Sequence, residues 1–190
     1  AVSARLFAAQ LSAELDWLVT VEPHLHRIAS LGDVYDIPAK AIHAAPLLAD
    51  WISRSVEDPI IIGPDKESRP WVAAVADKLD APFAVAQKTR LGDRDVRIDL
   101  PDLAGADRRT PVVIDDVVSS GQTLLELTSL LHRRLETRPV CAVVHGLFAG
   151  DAYAQLAAKF SVVVSTNTVK HDSNAIDVSS EITAAVLQLC

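Results

Sequence analysis

Two adjacent carboxylates, Asp115 and Asp116, close a β-branched apolar run, Val112-Val113-Ile114. The small-residue turn Ser119-Ser120-Gly121 follows, and a helical pattern opens at Gln122-Thr123-Leu124. The order is strand, acidic end, tight turn, helix start. In an open α/β sheet such an edge lies at the carboxyl end of a strand, where ligands bind. The turn presents backbone N–H groups at the positive end of a helix, which is a seat for a phosphate. Two aspartates repel a phosphate, but they accept hydrogen bonds from sugar hydroxyls beside it, or hold a metal that bridges the sugar. Acid pair and anion cradle together read as a site for a phosphorylated ribose. The same spacing fits a plainer reading equally well: an Asp-Asp strand end whose serines cap a helix, with no ligand. Neither the P-loop pattern nor Gly-x-Gly-x-x-Gly occurs in the chain, so the two commoner nucleotide cradles are absent.

Three further stretches carry chemistry-bearing side chains. Asp65 follows the apolar run Ile60-Ile61-Ile62 in a Gly63-Pro64-Asp65 turn that leads into a helix. A metal–phosphate contact could form there beside the N–H groups of 67–69, although Pro-Asp turns commonly just start helices. His24 and His26 lie beyond Pro23, just past a buried strand; a His there is more often a surface side chain than a ligand. Lys88 and Arg90 alternate by two, so an extended backbone points both to one side. Two such cations are ordinarily a solvated face. His43, His132 and His171 carry no pattern.

The elements that must position these residues alternate strictly. Periodicity predicts strands over 16–22, 41–44, 58–63, 82–88, 111–116, 139–147 and 160–165, and helices over 2–13, 46–56, 68–80, 122–136, 150–158 and 179–189. That alternation implies an α/β fold, a mainly parallel sheet with helices on both faces. Residues 89–109, rich in Gly, Asp and Arg, form a long connection for a compact domain. The chain has 190 residues, enough for one large domain or one domain with part of another. With 18 Lys and Arg against 25 Asp and Glu, few aromatics and no basic run, it does not look like a nucleic-acid binder. Cys141 and Cys190 show neither metal spacing nor a disulfide framework, which suits a reduced cytoplasmic setting. No apolar run approaches the ~20 residues of a membrane span, and Ala1-Val2-Ser3-Ala4-Arg5 does not open a secretory signal. Met is absent throughout, and the chain opens inside a helical pattern, as a fragment or trimmed product would.

Asp115-Asp116-Val117-Val118-Ser119-Ser120-Gly121-Gln122-Thr123 resembles the ribose-phosphate loop of the type I phosphoribosyltransferase superfamily, and within it the ribose-phosphate pyrophosphokinases (phosphoribosyl diphosphate synthases). Glu22-Pro23-His24 is similar to that family's Asp-x-His motif, whose His meets the magnesium of MgATP. Pro64-Asp65 is similar to its pyrophosphate turn, with Lys66-Glu67-Ser68 in place of the usual small residues. Lys88-Thr89-Arg90-Leu91 resembles the opening of its catalytic loop in the archaeal-type branch, as does Ser119 where many members carry a third Asp. Val143-Val144-His145-Gly146-Leu147-Phe148-Ala149-Gly150-Asp151-Ala152 resembles its His-Pro-x-Phe-x-Gly-x-Ala segment, where His145 is structural or lines the nucleotide site.

The resemblance implies transfer of the pyrophosphoryl group of ATP to the anomeric hydroxyl of ribose 5-phosphate, with Mg²⁺ as cofactor. Lys88 and Arg90 would be catalytic, Asp115, Asp116, Ser119, Ser120, Gly121, Gln122 and Thr123 would bind the sugar phosphate, and His24 and Asp65 would meet the metal. It implies a homo-oligomer, at least a dimer, with the nucleotide site completed across subunits. Residues 1–45 would be the C-terminal part of a first domain, 46–178 a second one, and 179–190 a terminal helix crossing back. Family members carry a further stretch before the position of Ala1, with a nucleotide-binding Arg-Gln-Asp loop and a Phe-bearing hairpin. Two other classes stay open: a phosphoribosyltransferase that consumes phosphoribosyl diphosphate, and a non-catalytic subunit that regulates a synthase.

Overall fold

The computed structural model of the chain describes residues 2–25, 28, 30–90, 96–101, 108–135 and 137–189; for 88–90 and 96–98 only the backbone is described. In chain order the elements are α1 (Val2–Glu14), β1 (Leu18–Val21), β2 (Ala39–Ile42), α2 (Ala45–Ser55), β3 (Pro59–Gly63), α3 (Arg69–Leu79), β4 (Phe83–Val85), β5 (Gln87–Arg90) and β6 (Val96–Asp99). Then follow β7 (Thr110–Val118), α4 (Gln122–Leu131), β8 (Val140–Gly146), α5 (Ala152–Lys159), β9 (Val162–Thr166), β10 (Asn174–Ile176) and α6 (Ser179–Leu187). They fall into two compact units, Ala1–Ala44 with Val178–Cys190, and Ala45–Asp177.

In the smaller unit β1 and β2 run parallel, Leu18 opposite Ala39 and Val21 opposite Ile42. Helix α6 packs beside both strands, and the Lys40 ammonium donates to the side-chain amide oxygen (Oε1) of Gln188 just past its end.

In the larger unit six parallel strands lie in the order β10-β9-β8-β7-β3-β4. From β3 the chain passes through α3 to β4 on one side; from β7 it passes through α4 to β8, then α5 to β9, on the other. Right-handed crossovers in opposite directions put α3 and α4 on opposite faces. The expected mainly parallel sheet with helices on both faces is what the chain forms. Alternation along the strands fills both sides. Ile60, Ile62, Val113, Cys141 and Val143 pack with Leu124, Leu127 and Leu131 of α4 and Leu156 of α5. The intervening Ile61, Val112, Ile114, Ala142 and Val144 are equally buried, as are Leu48, Ile52, Val72 and Val75 of α2 and α3. Burial on both faces is why these strands read as unbroken apolar runs, and each fully buried aliphatic side chain contributes roughly 1.5–3 kcal/mol.

Four boundaries differ from the sequence-based expectation. The single strand at 82–88 is two. The buried Ala86 makes the last link to the sheet, donating its N–H to Gly63 O at 2.9 Å. The polar run that follows then leaves the sheet as β5 and pairs antiparallel with β6, Gln87 opposite Asp99 and Arg90 opposite Val96. Helix α4 stops at Leu131 rather than 136, because the N–H groups of Arg133 and Arg134 turn to the i−3 carbonyls of Leu130 and Leu131. Strand β7 runs two residues past Asp116, so the acid pair sits inside it. Strand β10 has no apolar run to reveal it; it is held by the Asn174 amide, which donates to Thr166 O at 2.7 Å and Ser165 Oγ at 3.0 Å.

Candidate functional site

Chain connections reverse direction between the neighbouring strands β3 and β7, and at such a switch point the carboxyl ends of the strands leave a crevice. The register opens it. Strand β3 pairs with β7 only as far as Ile62 opposite Val113, whereas β8 follows β7 to Val118 opposite Gly146. Beyond Ile62 the β3 chain turns away through Gly63-Pro64-Asp65, so the β3 ladder stops short of Asp115 and Asp116.

Asp65 begins a 3₁₀ turn, Lys66–Ser68, and its Oδ1 accepts from the N–H groups of Glu67 at 2.9 Å and Ser68 at 3.1 Å. The Ser68 hydroxyl donates back to Asp65 O at 2.6 Å. Residues 66–68 therefore supply the turn that smaller residues would otherwise make. Gly63 is required by close approach: a Cβ there would lie 2.3 Å from Ser68 Oγ and 2.9 Å from Val72 Cγ2.

On β7, Asp115 Oδ1 accepts from the N–H of Asp116 at 3.1 Å, and Asp116 Oδ1 from that of Val117 at 2.9 Å. Burial, then the charge of Asp116 and that of Asp65, push Asp115 up from 3.8 to about 8. The same burial, aided by Asp115, pushes the Cys141 thiol well above its usual range, so it is an inert core side chain. The carboxylates of Asp65, Asp115 and Asp116 thus act on one another at one end of the crevice. Hard oxygen donors in excess negative charge are the donor set a Mg²⁺ takes. Among the described residues no three His, Cys, Asp or Glu side chains converge as a metal cage.

The loop after β7 resolves one open alternative. Ser119 and Ser120 are exposed, and neither caps α4. The N-cap is Gly121, left-handed at φ 70°, with no side-chain cap bond. The first-turn N–H groups of α4 have no acceptor within the helix. A left-handed residue without a side chain suits this position, since Leu156 Cδ1 lies 3.1 Å from where a Cβ would be. The loop is also held from behind: Ser119 O accepts from Ala149 N–H at 3.0 Å, and Val118 O from Leu147 and Phe148. Gln122 turns its amide to Glu126, donating at 2.9 Å, and Thr123 is half-buried.

Asp65, Asp115, Asp116 and 119–123 are therefore gathered at one end of the sheet. Lys88 and Arg90 stand two apart on β5, which leaves the neighbouring β4 edge; their side chains lie outside the described structure. His24 belongs to the smaller unit and is exposed there; His26 lies outside the described residues. In that unit Glu22, at φ 37°, does something the sequence did not suggest: its Oε2 accepts from Ala44 N–H at 2.6 Å, and its Oε1 lies 3.6 Å from His43 Nδ1. His145 has a structural bond, its Nδ1 2.9 Å from Thr168 Oγ1, which also donates to Val144 O. His171 was not marked by any pattern, yet its ring packs against Phe148 and Tyr153 with centroids 4.7 and 4.6 Å away. The Phe148 ring covers Gly146, where a Cβ would lie 2.4 Å from it, which accounts for a glycine at that position.

Comparison with known proteins bears on the family and the fold. Residues 30–182 match the phosphoribosyl transferase domain family. The chain is 29% identical over 171 residues to a ribose-phosphate pyrophosphokinase of Sulfurisphaera tokodaii, covering 87% of this chain and 57% of that protein. It is 30% identical over 181 residues to the ribose-phosphate pyrophosphokinase of Methanothermobacter thermautotrophicus, covering 94% of this chain and 62% of that one. The crystal structure of phosphoribosylpyrophosphate synthetase from Mycobacterium smegmatis superposes with a TM-score of 0.83 at 24% identity, over 100% of this chain and 64% of the other. The chain thus spans about three-fifths of the length of these relatives.

Proposed function

The chain belongs to the phosphoribosyl transferase domain family, and from that premise we propose that the whole protein is a ribose-phosphate pyrophosphokinase making phosphoribosyl diphosphate and AMP from ATP and ribose 5-phosphate. The observation that carries this reading is the switch-point crevice, with Asp65 on one lip and Asp115, Asp116 and an uncapped helix start on the other. The named relatives favour the same activity.

In this reading the 5-phosphate sits on the N–H groups of Ser120, Gly121, Gln122 and Thr123, with Ser119 at the loop's mouth. Asp115 and Asp116 orient the ribose through its hydroxyls. The anomeric oxygen then lies in line with the β-phosphorus of ATP; its O–P bond forms as the α–β bridging bond breaks, the hydroxyl proton is lost and AMP leaves with the bridging oxygen. Such a transfer asks the protein for placement and charge stabilisation. Lys88 and Arg90 meet the transferred group and exclude water. Asp65 and His24 are the residues that would hold Mg²⁺, which would supply positive charge to offset that of the phosphates. We assign 46–178 to one phosphoribosyltransferase-like domain, and 1–45 with the helix 179–190 to the C-terminal part of another. We further propose a cytoplasmic homo-oligomer, at least a dimer; among the described residues no helix is long and apolar enough to cross a membrane.

The test is an assay on the full-length protein. AMP release from ATP plus ribose 5-phosphate is expected, dependent on Mg²⁺. Pyrophosphate release from phosphoribosyl diphosphate plus a base, without AMP formation, would mark a phosphoribosyltransferase instead. No turnover of either kind would mark a non-catalytic subunit.

A further inference from the structure

The hairpin β5–β6 has two roots in the larger unit. Its incoming strand is tied to the sheet by Ala86, fully buried, whose N–H donates to Gly63 O at 2.9 Å. Its outgoing strand ends at Leu100, 5% exposed, which sits in the core cluster with Leu131 and Leu135 beneath the far end of α4. A lone leucine holds depth but not rotation, and the backbone at Leu100 and Pro101 has left the β6 ladder. Arg134 supplies the missing constraint. Its Nη1 donates to Leu100 O at 2.9 Å and to Pro101 O at 3.3 Å. The carbonyl acceptors are successive and the donor is charged and planar, so the pair fixes direction as well as distance. Arg134 is itself held, with its N–H on Leu131 O at 2.9 Å.

We propose that Arg134 is a positioning residue for the Lys88/Arg90 hairpin, fixing its outgoing strand to the turn that closes α4, the helix whose N-terminus is the proposed sugar-phosphate seat. Helix α4 spans ten residues, about 15 Å, and Arg134 sits in the turn just past its end, so the helix and that turn together join the phosphate loop to the root of the basic hairpin. Arg134 touches no reacting atom. Its effect on chemistry rests on the reading of Lys88 and Arg90 given above; its effect on the hairpin does not.

Amide hydrogen exchange of the full-length protein, with Arg134→Ala and Arg134→Lys, separates the two. In Arg134→Ala, exchange over 87–90 and 96–100 rises by about tenfold or more while β3, β7 and β8 keep their protection. Arg134→Lys, with one ammonium able to reach one carbonyl, falls between. In the AMP-forming assay kcat drops and KM for ribose 5-phosphate is unchanged. Unchanged hairpin exchange in Arg134→Ala overturns the proposal, as does an equal rise throughout β3, β7 and β8, which would make Arg134 a general fold residue. A loosened hairpin with unaltered kcat overturns the positioning role. If the wild-type protein forms no AMP, the functional reading fails while the exchange data still decide whether Arg134 holds the hairpin.

Discussion

Asp115 is a residue whose chemistry its surroundings change strongly. Its folded pKa, about 8 against 3.8, means the native state holds a proton that the unfolded chain has released. Stability contributed by that proton is fully present below pH ~4 and is lost as pH rises toward ~8, the opposite slope to a salt-bridged carboxylate. In urea titrations with EDTA, the wild-type protein should lose stability between pH 5 and pH 8 relative to Asp115→Asn; parallel curves for the two would mean Asp115 is not perturbed. At Gly121, Ala would meet both the left-handed backbone, φ 70°, and Leu156. Gly121→Ala should cost about 1–2 kcal/mol in denaturation and weaken ribose 5-phosphate binding by calorimetry; unchanged binding would separate the loop from the ligand. Residue identity marked Asp115, Asp116 and Gly121 in the sequence, although their spacing fitted a ligand-free strand end and helix cap equally well. It could not show that Asp65 Oδ1 is already engaged by its own turn, or that Glu22 caps the N–H of Ala44. Both depend on where the chain goes next.

Among the elements, β3, β7, β8 and β9 were legible because strands buried on both faces are apolar at every position. The hairpin was not, since Lys88, Arg90 and Asp99 give no alternation to separate a strand pair from a loop. Nor was the three-residue β10, which depends on amide bonds from Asn174 rather than on burial. Gly63 marks where an element's end is set by packing. Gly63→Ala should destabilise by roughly 1–3 kcal/mol through overpacking against Ser68 and Val72, and adding Ser68→Ala should restore part of it by removing the nearer clash. No recovery would mean the turn yields elsewhere. For the hairpin, Lys88→Ala should lower turnover by orders of magnitude and leave ribose 5-phosphate affinity intact; unchanged turnover would remove Lys88 from the mechanism.

For the molecule as a whole, two units and a chain spanning about three-fifths of its relatives' length place the proposed activity in the full-length protein. Alternating strands and helices made the α/β class readable, whereas the strand order, and with it the switch point between β3 and β7, came only from the fold. The full-length protein should sediment as a dimer or larger; a monomer that turns over ATP would contradict the shared nucleotide site. The most direct test is a crystal structure of that protein with ribose 5-phosphate. The account predicts the phosphate on the backbone N–H groups of 120–123 with the ribose hydroxyls at Asp115 and Asp116. A sugar phosphate bound anywhere else, with that loop empty, would contradict it.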